Sequence, residues 1–194
     1  MATTIHIEQA LIGQVKQRDQ SAFMELYDRT ISDISRLVAY LLDDPSQLED
    51  VIQEIYVALY HSLPKFDAEK PFHPWLMGIV MRQVKAHQRK NWRFFRMKTT
   101  LAENVREMHA PDIAEQVVED MQSETLIHSI RSLPVKLRSV VVLYYLHEYT
   151  RDEIADILGI PPGTVASRLR LALEKLRFAH AAKLQDCEGD GHGL

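Results

Sequence analysis

The chain has a single cysteine, Cys187, so no internal disulfide can form. It has only seven glycines among 194 residues, and three of them fall in the last six positions. No run of about 18 apolar residues occurs, so no segment reads as a membrane-spanning helix. The N-terminus lacks the basic segment and apolar stretch of a secretion signal. There is no Gly-rich phosphate loop, nucleophile elbow or zinc-type cysteine pair. The nine histidines are scattered without metal-ligand spacing. Asp43, Asp44, Glu49 and Asp50 cluster, but a helix terminus prefers such charges without any metal. These absences predict no cofactor, no metal, no catalysis of the chain's own, no membrane insertion and a cytoplasmic location.

What remains is an ordinary globular composition, 46 % hydrophobic and 26 % charged. Few glycines and long amphipathic runs predict an all-α protein. The net charge of −4 conceals a sharp segregation. Arg82, Lys85, Arg89, Lys90, Arg93, Arg96 and Lys98 form a basic block with no acidic residue among them. Glu103, Glu107, Asp112, Glu115, Glu119, Asp120 and Glu124 follow, relieved only by Arg106. This pattern predicts an anion site beside an acidic connector.

The most informative stretch is 133–177. Thr150 and Glu153 have capping-box spacing and predict the start of a short helix with Ile154, Ile157 and Leu158 on one face. Gly159 supplies the left-handed residue that ends it. Pro161 and Pro162 suit the first turn of a second helix, where a missing N–H costs nothing. That helix carries Val165, Leu169, Ala172, Leu173 and Leu176 on one side and Thr164, Ser167, Arg168, Leu171 and Lys175 on the other. Short helix, tight turn and longer helix with a polar, partly basic outer face spell a helix-turn-helix. The second helix of such a motif enters the DNA major groove with its N-terminal part.

Upstream, helices are expected from Ile7 to Arg18 and, capped by Asp19, through Phe23, Leu26, Ile34 and Leu41. Ser46 and Glu49 have capping-box spacing and predict a third helix from Ser46 to Ser62. Its core stripe is Leu48, Val51, Ile52, Ile55 and Leu59, and Asp50, Gln53 and Glu54 lie opposite. By helix physics alone, those three are ordinary solvent-facing residues. A proline-stiffened loop with Phe66, Lys70 and Phe72 leads to a fourth helix starting near Trp75. Arg82, Lys85, Arg89, Arg93 and Arg96 fall on one arc of it, with Trp92, Phe94 and Phe95 near its end. Cations track phosphates and aromatic faces stack on exposed bases, so this combination suits opened or single-stranded nucleic acid.

The two halves together resemble the extracytoplasmic-function sigma factors, the smallest sigma subunits of bacterial RNA polymerase. The resemblance covers about Ser21 to Leu184. It rests on FMELYDR, EDVIQEIYVALY and FHPWLMGIVMRQVKAHQRKNWR in the first half, and on SLPVKLRSVVVLYYLHEYTRDEIADILGIPPGTVASRL in the second. It implies two helical domains joined by a flexible acidic linker, the second a four-helix domain with the helix-turn-helix. The expected boundaries are 1–98 for sigma region 2, 99–113 for the linker, 114–185 for sigma region 4 and 186–194 for a disordered tail.

The resemblance also assigns roles. Asp50, Gln53 and Glu54 match the element that docks on the β′ clamp helices of core polymerase. Lys65, Phe66, Lys70, Phe72, Trp75, Arg82, Lys85 and Arg89 match the segments that capture a flipped-out base of the minus-ten element and hold the opened strand. Thr164, Ser167, Arg168, Leu171 and Lys175 match the reader of the minus-thirty-five element, in a domain that also touches the β flap. An anti-sigma protein is the further partner implied. The sequence departs from the family pattern at Arg82, Ala86, Ala166 and Leu171. On the residues alone, a dimeric regulator of duplex DNA also accounts for the helix-turn-helix, but it leaves the Asp50–Glu54 face and the Trp-containing basic helix without a purpose.

Overall fold

A computed structural model of the chain describes residues 9–101 and 124–189. Among them every regular element is a helix. The chain divides into two units, Met1–Asp120 and Met121–Leu194.

In the first unit, α1 spans Gln9–Lys16 and buries Leu11, Ile12 and Val15. Helix α2, Gln20–Leu41, starts where Asp19 caps it: one carboxylate oxygen accepts from the Ser21 and Ala22 amides at 2.8 and 3.2 Å. The bond from the Ser21 hydroxyl, reinforced by these two amides, holds the Asp19 carboxyl below its ordinary range. Helix α3, Leu48–Ser62, does not start with the expected Ser46–Glu49 box. Asp44 takes the Ser46 amide and hydroxyl instead, at 3.0 and 2.7 Å, and caps a single 3-10 turn, Pro45–Gln47. A carboxylate two residues upstream outcompetes the glutamate three residues downstream. Helix α4 runs Phe72–Leu101, three residues earlier than expected and through Thr99–Leu101 of the expected connector. No Gly or Pro stands between Gly78 and Pro111 to stop it.

The first core is a three-helix packing. Leu26, Ile34 and Leu37 of α2, Val51 and Leu59 of α3, and Leu76, Val80 and Val84 of α4 are fully buried. Each such side chain contributes about 1.5–3 kcal/mol of transfer free energy. The Tyr56 hydroxyl is buried against Thr30 Oγ1 at 2.8 Å, and burial pushes its phenol well above the ordinary tyrosine range.

In the second unit, α5 spans Glu124–Arg131 and α6 Val135–Val141, opened by Pro134. Residues 102–123, which hold most of the expected linker and the start of the expected second domain, lie outside the described residues. Arg138 is buried, and its guanidinium donates to the Arg131 and Leu133 carbonyls at 2.5 and 3.0 Å, serving the carbonyl end of α5. A wide π turn, Val142–Leu146, follows α6 and leaves Glu148 at positive φ.

Helix α7, Arg151–Leu158, has the complete capping box. The Glu153 carboxylate accepts from the Thr150 amide at 2.8 Å, and Thr150 Oγ1 accepts from the Glu153 amide at 3.3 Å. Gly159 takes the left-handed conformation at φ 63, ψ 45. Helix α8 spans Pro162–Gly189, with Pro161 O accepting from the Thr164 and Val165 amides. It continues through 186–189, residues expected in the tail, because the first breaker after Gly163 is Gly189 itself. Val140, Leu143, Ile154, Val165 and Ala172 close the second core, all fully buried.

Candidate nucleic-acid interface

In the second unit the capping box and Gly159 fix where α7 stops, and the Pro pair fixes where α8 begins. Val165, Leu169 and Ala172 are buried, which turns the opposite side of α8 outward. Ser167, Leu171 and Lys175 are exposed there, and Thr164 and Arg168 are half-buried beside them. Ser167 Oγ donates back to the Thr164 carbonyl at 3.0 Å. All five residues expected to read DNA therefore share one face. Two arginines that sequence reasoning passed over, Arg151 and Arg170, line an adjoining open depression of about 790 Å³ with Tyr144, Tyr145 and Phe178.

In the first unit, Asp50, Gln53 and Glu54 are all exposed on α3, opposite Val51 and Ile55. Beside them α2 and α3 leave an open apolar depression of about 710 Å³, lined by Phe23, Tyr27, Ile52, Tyr56, Val57 and Tyr60, with Glu49 and Gln53 also part of the wall. Val57 and Tyr60 are 52 % and 39 % exposed. Sequence reasoning did not single them out.

The loop before α4 tucks both its aromatics inward. Phe66 and Phe72 are buried, at 3 % and 7 % exposure, so neither ring is presented to solvent. They pack edge-to-face at 5.4 Å, and Trp75 lies 4.6 Å from Phe66 and 5.6 Å from Phe72. The outward groups are Lys65 and Lys70, with Trp75 half-buried over the two phenylalanines. Along α4, Arg82 and Arg89 are exposed and Lys85 is half-buried, opposite the buried Leu76, Val80 and Val84. Trp92 continues this side at 59 % exposure. The side chains of Arg93, Phe94, Phe95, Arg96 and Lys98 lie outside the described set.

Among the described residues no group of three or more His, Cys, Asp or Glu could hold a metal ion. Nor is any helix there long and apolar enough to cross a membrane.

A helical unit with a basic, aromatic-flanked helix, and a second built on a helix-turn-helix, define a protein of the nucleic-acid-reading class. The model for sigma-70 region 2 matches residues 26–94, and that for sigma-70 region 4 matches residues 123–176. The ECF RNA polymerase sigma factor SigW of Bacillus subtilis is 33 % identical over 174 residues, covering 86 % of this chain and 92 % of that protein. CnrH, solved in complex with the cytosolic domain of CnrY, superposes with a TM-score of 0.65 at 22 % identity, over 90 % of this chain and 97 % of that one. The sigma factor RpoE of Bartonella quintana, solved with the anti-sigma factor NepR, gives 0.63 at 16 % identity, over 80 % and 94 %. The chain belongs to the ECF family of RNA polymerase sigma factors.

Proposed function

We propose that this sigma factor gives core RNA polymerase its choice of start site through the residues described above. The α3 face of Asp50, Gln53 and Glu54 docks on the β′ clamp helices. Lys65, Lys70, Trp75, Arg82, Lys85 and Arg89 hold the opened minus-ten element, with Phe66 and Phe72 as the buried support of Trp75. Thr164, Ser167, Arg168, Leu171 and Lys175 read the minus-thirty-five element in the major groove. The second unit also contacts the β flap.

One observation carries the reading. The outward side of α4 interleaves Trp75 and Trp92 with Arg82 and Arg89, in a chain whose other unit holds a fully capped helix-turn-helix. A reader of duplex DNA needs the second feature alone. Stacking surface next to cations suits bases that have left the duplex, and unstacking them costs a few kcal/mol that such contacts offset in part. Linking two modest readers through one polymerase raises the effective concentration of the second once the first is bound.

Two structural relatives were solved with bound partners, one named as an anti-sigma factor, and we extend to this chain a regulatory partner of that kind. The deciding experiment is in vitro transcription with purified core polymerase and a promoter library. Initiation from a defined subset, with bipartite sequence preference, is expected. Core association without initiation on any member overturns the reading.

A further inference from the structure

Helix α1 lies outside the region 2 match, which begins at residue 26, and nothing above gives it a task. Its polar contacts are specific. Lys16 Nζ donates to the Phe66 carbonyl at 2.8 Å across 50 residues of sequence. Gln9 Nε2 donates to the Ala68 carbonyl at 3.2 Å. The two donors are seven positions apart, about two helical turns, so they stand on one side of α1. The two acceptors are alternate carbonyls of the loop that precedes α4.

Within the loop, Phe66 and Phe72 are buried against each other and Trp75. Its internal bonds are the Phe66 amide to the Leu63 carbonyl at 3.0 Å and a turn at Asp67, whose carbonyl and carboxylate accept from the Lys70 and Glu69 amides. Between α1 and the loop is a cavity of about 180 Å³ lined by Gln9, Ile12, Ala68, Lys70, Pro71 and Phe72. Apolar packing is therefore incomplete where Gln9 meets the loop, and the two hydrogen bonds add to it at Ala68 and Phe66. One is charge-assisted, the stronger kind. Phe66 links this tie to the exposed surface: its carbonyl is held by Lys16, and its ring lies under Trp75 at 4.6 Å.

We propose that α1 is a positioning element for the minus-ten reading loop, and that Lys16 is its positioning residue, acting through Phe66 on Trp75 and Lys70. Lys16 touches no base. It restricts the loop, so that a correct base is met by a preformed surface and a wrong one is not accommodated by loop movement. This rests on the proposed role of the loop.

The test uses holoenzyme assembled from core polymerase and the full chain. Lys16→Met keeps the aliphatic stem and removes the donor, and Lys16→Arg keeps a donor. The readout is the ratio of open-complex formation on a matched promoter to that on one with a single substitution in the minus-ten element. Lys16→Met is expected to lower this ratio by about threefold to tenfold, the scale of one ordinary net hydrogen bond, since the tie acts on the base only through the loop. Lys16→Arg restores it to within about twofold, and core affinity is unchanged in both. A wild-type ratio in Lys16→Met overturns the proposal. So does a loss of core affinity and thermal stability with the ratio intact, which is the mark of a purely structural contact. Trp75→Ala is measured alongside. If it lowers the ratio while Lys16→Met does not, only this inference fails; if Trp75→Ala leaves the ratio intact, the loop is not a reader and both fall.

Discussion

His87 Nε2 of α4 lies 2.6 Å from Gln47 Oε1, in the turn that leads into α3. Gln47 Nε2 donates to Asp44 Oδ2 at 2.9 Å, so its carbonyl oxygen must face α4. Asn91 Nδ2 donates to the same oxygen at 2.5 Å. His87 Nε2 therefore faces an acceptor, with Asn91 Nδ2 at 3.1 Å beside it, and its buried Nδ1 faces Glu54 Oε2 at 3.8 Å. The joint ties the basic helix to the start of the helix that presents Asp50, Gln53 and Glu54.

His87→Ala removes the imidazole from a part-buried amide and is expected to destabilise the first unit by about 1–3 kcal/mol. His87→Gln, whose amide can donate toward Gln47, recovers part of that. Both tryptophans of the chain, Trp75 and Trp92, lie in α4, so urea denaturation followed by tryptophan fluorescence reports this unit alone. An unchanged midpoint in His87→Ala would show that the joint adds nothing to stability.

Where a structural decision was made within four or five residues, the sequence disclosed it. Thr150, Glu153, Gly159 and Pro162 specify the helix-turn-helix through contacts that each can make locally, and all appear as expected. The same reasoning failed at Ser46 and Glu49, because a second local acceptor, Asp44, was closer to the serine amide. At Phe66 and Phe72 the sequence leaves two readings open, rings pre-set for a ligand or rings tucked onto the core. Whether an aromatic in a proline-stiffened loop points in or out depends on the partners it meets in the fold, here Trp75 of α4, and no spacing rule reports them. The position of Arg138 was illegible for the same reason: its carbonyl partners sit at the end of another helix.

Gly159 is a second site where the cost is predictable. A Cβ there would meet nothing within 4 Å, so Gly159→Ala is penalised only by its left-handed backbone, φ 63. The expected loss is about 1–2 kcal/mol. Thr150→Ala, which removes the capping hydroxyl, costs about 1 kcal/mol. The measurement is thermal denaturation of the second unit by circular dichroism, with tryptophan fluorescence of the first unit as an internal control that should not move.

The Asp19 cap gives a pH signature. Its carboxyl is lowered in the folded chain by bonds from Ser21 and Ala22. A lowered folded value means that the cap's contribution is complete above the unfolded carboxylate range, about pH 4, and is lost as pH falls through the folded value. Asp19→Asn keeps an acceptor at the cap without the titration. The difference in melting temperature between the two proteins should be flat near neutrality and shrink or reverse only in acid. A difference that varies between pH 6 and 8 would assign the effect to another group.

On α3, the charge-reversed pair Asp50→Lys and Glu54→Lys should lower affinity for core polymerase by about tenfold or more, since both carboxylates are exposed on one side of the helix. Binding of the second unit to duplex minus-thirty-five DNA should be unaffected. Unchanged core affinity removes these two residues from the docking surface.

On α8, Arg168 and Lys175 should separate into two kinds of contact. Lys175 is exposed three turns into the helix, where a major-groove reader has begun to leave the bases, and its ammonium suits a phosphate. Arg168 is half-buried closer to the N-terminal end, and its fork suits a base edge. Lys175→Ala should weaken holoenzyme binding to every minus-thirty-five sequence alike and reduce the log–log salt slope by about one. Arg168→Ala should cost about 1–3 kcal/mol on the preferred sequence, less on others, and flatten discrimination at one position. Both variants should keep wild-type affinity for core polymerase. If Arg168→Ala lowers core affinity instead, or weakens all sequences equally, α8 does not read the element in the orientation proposed.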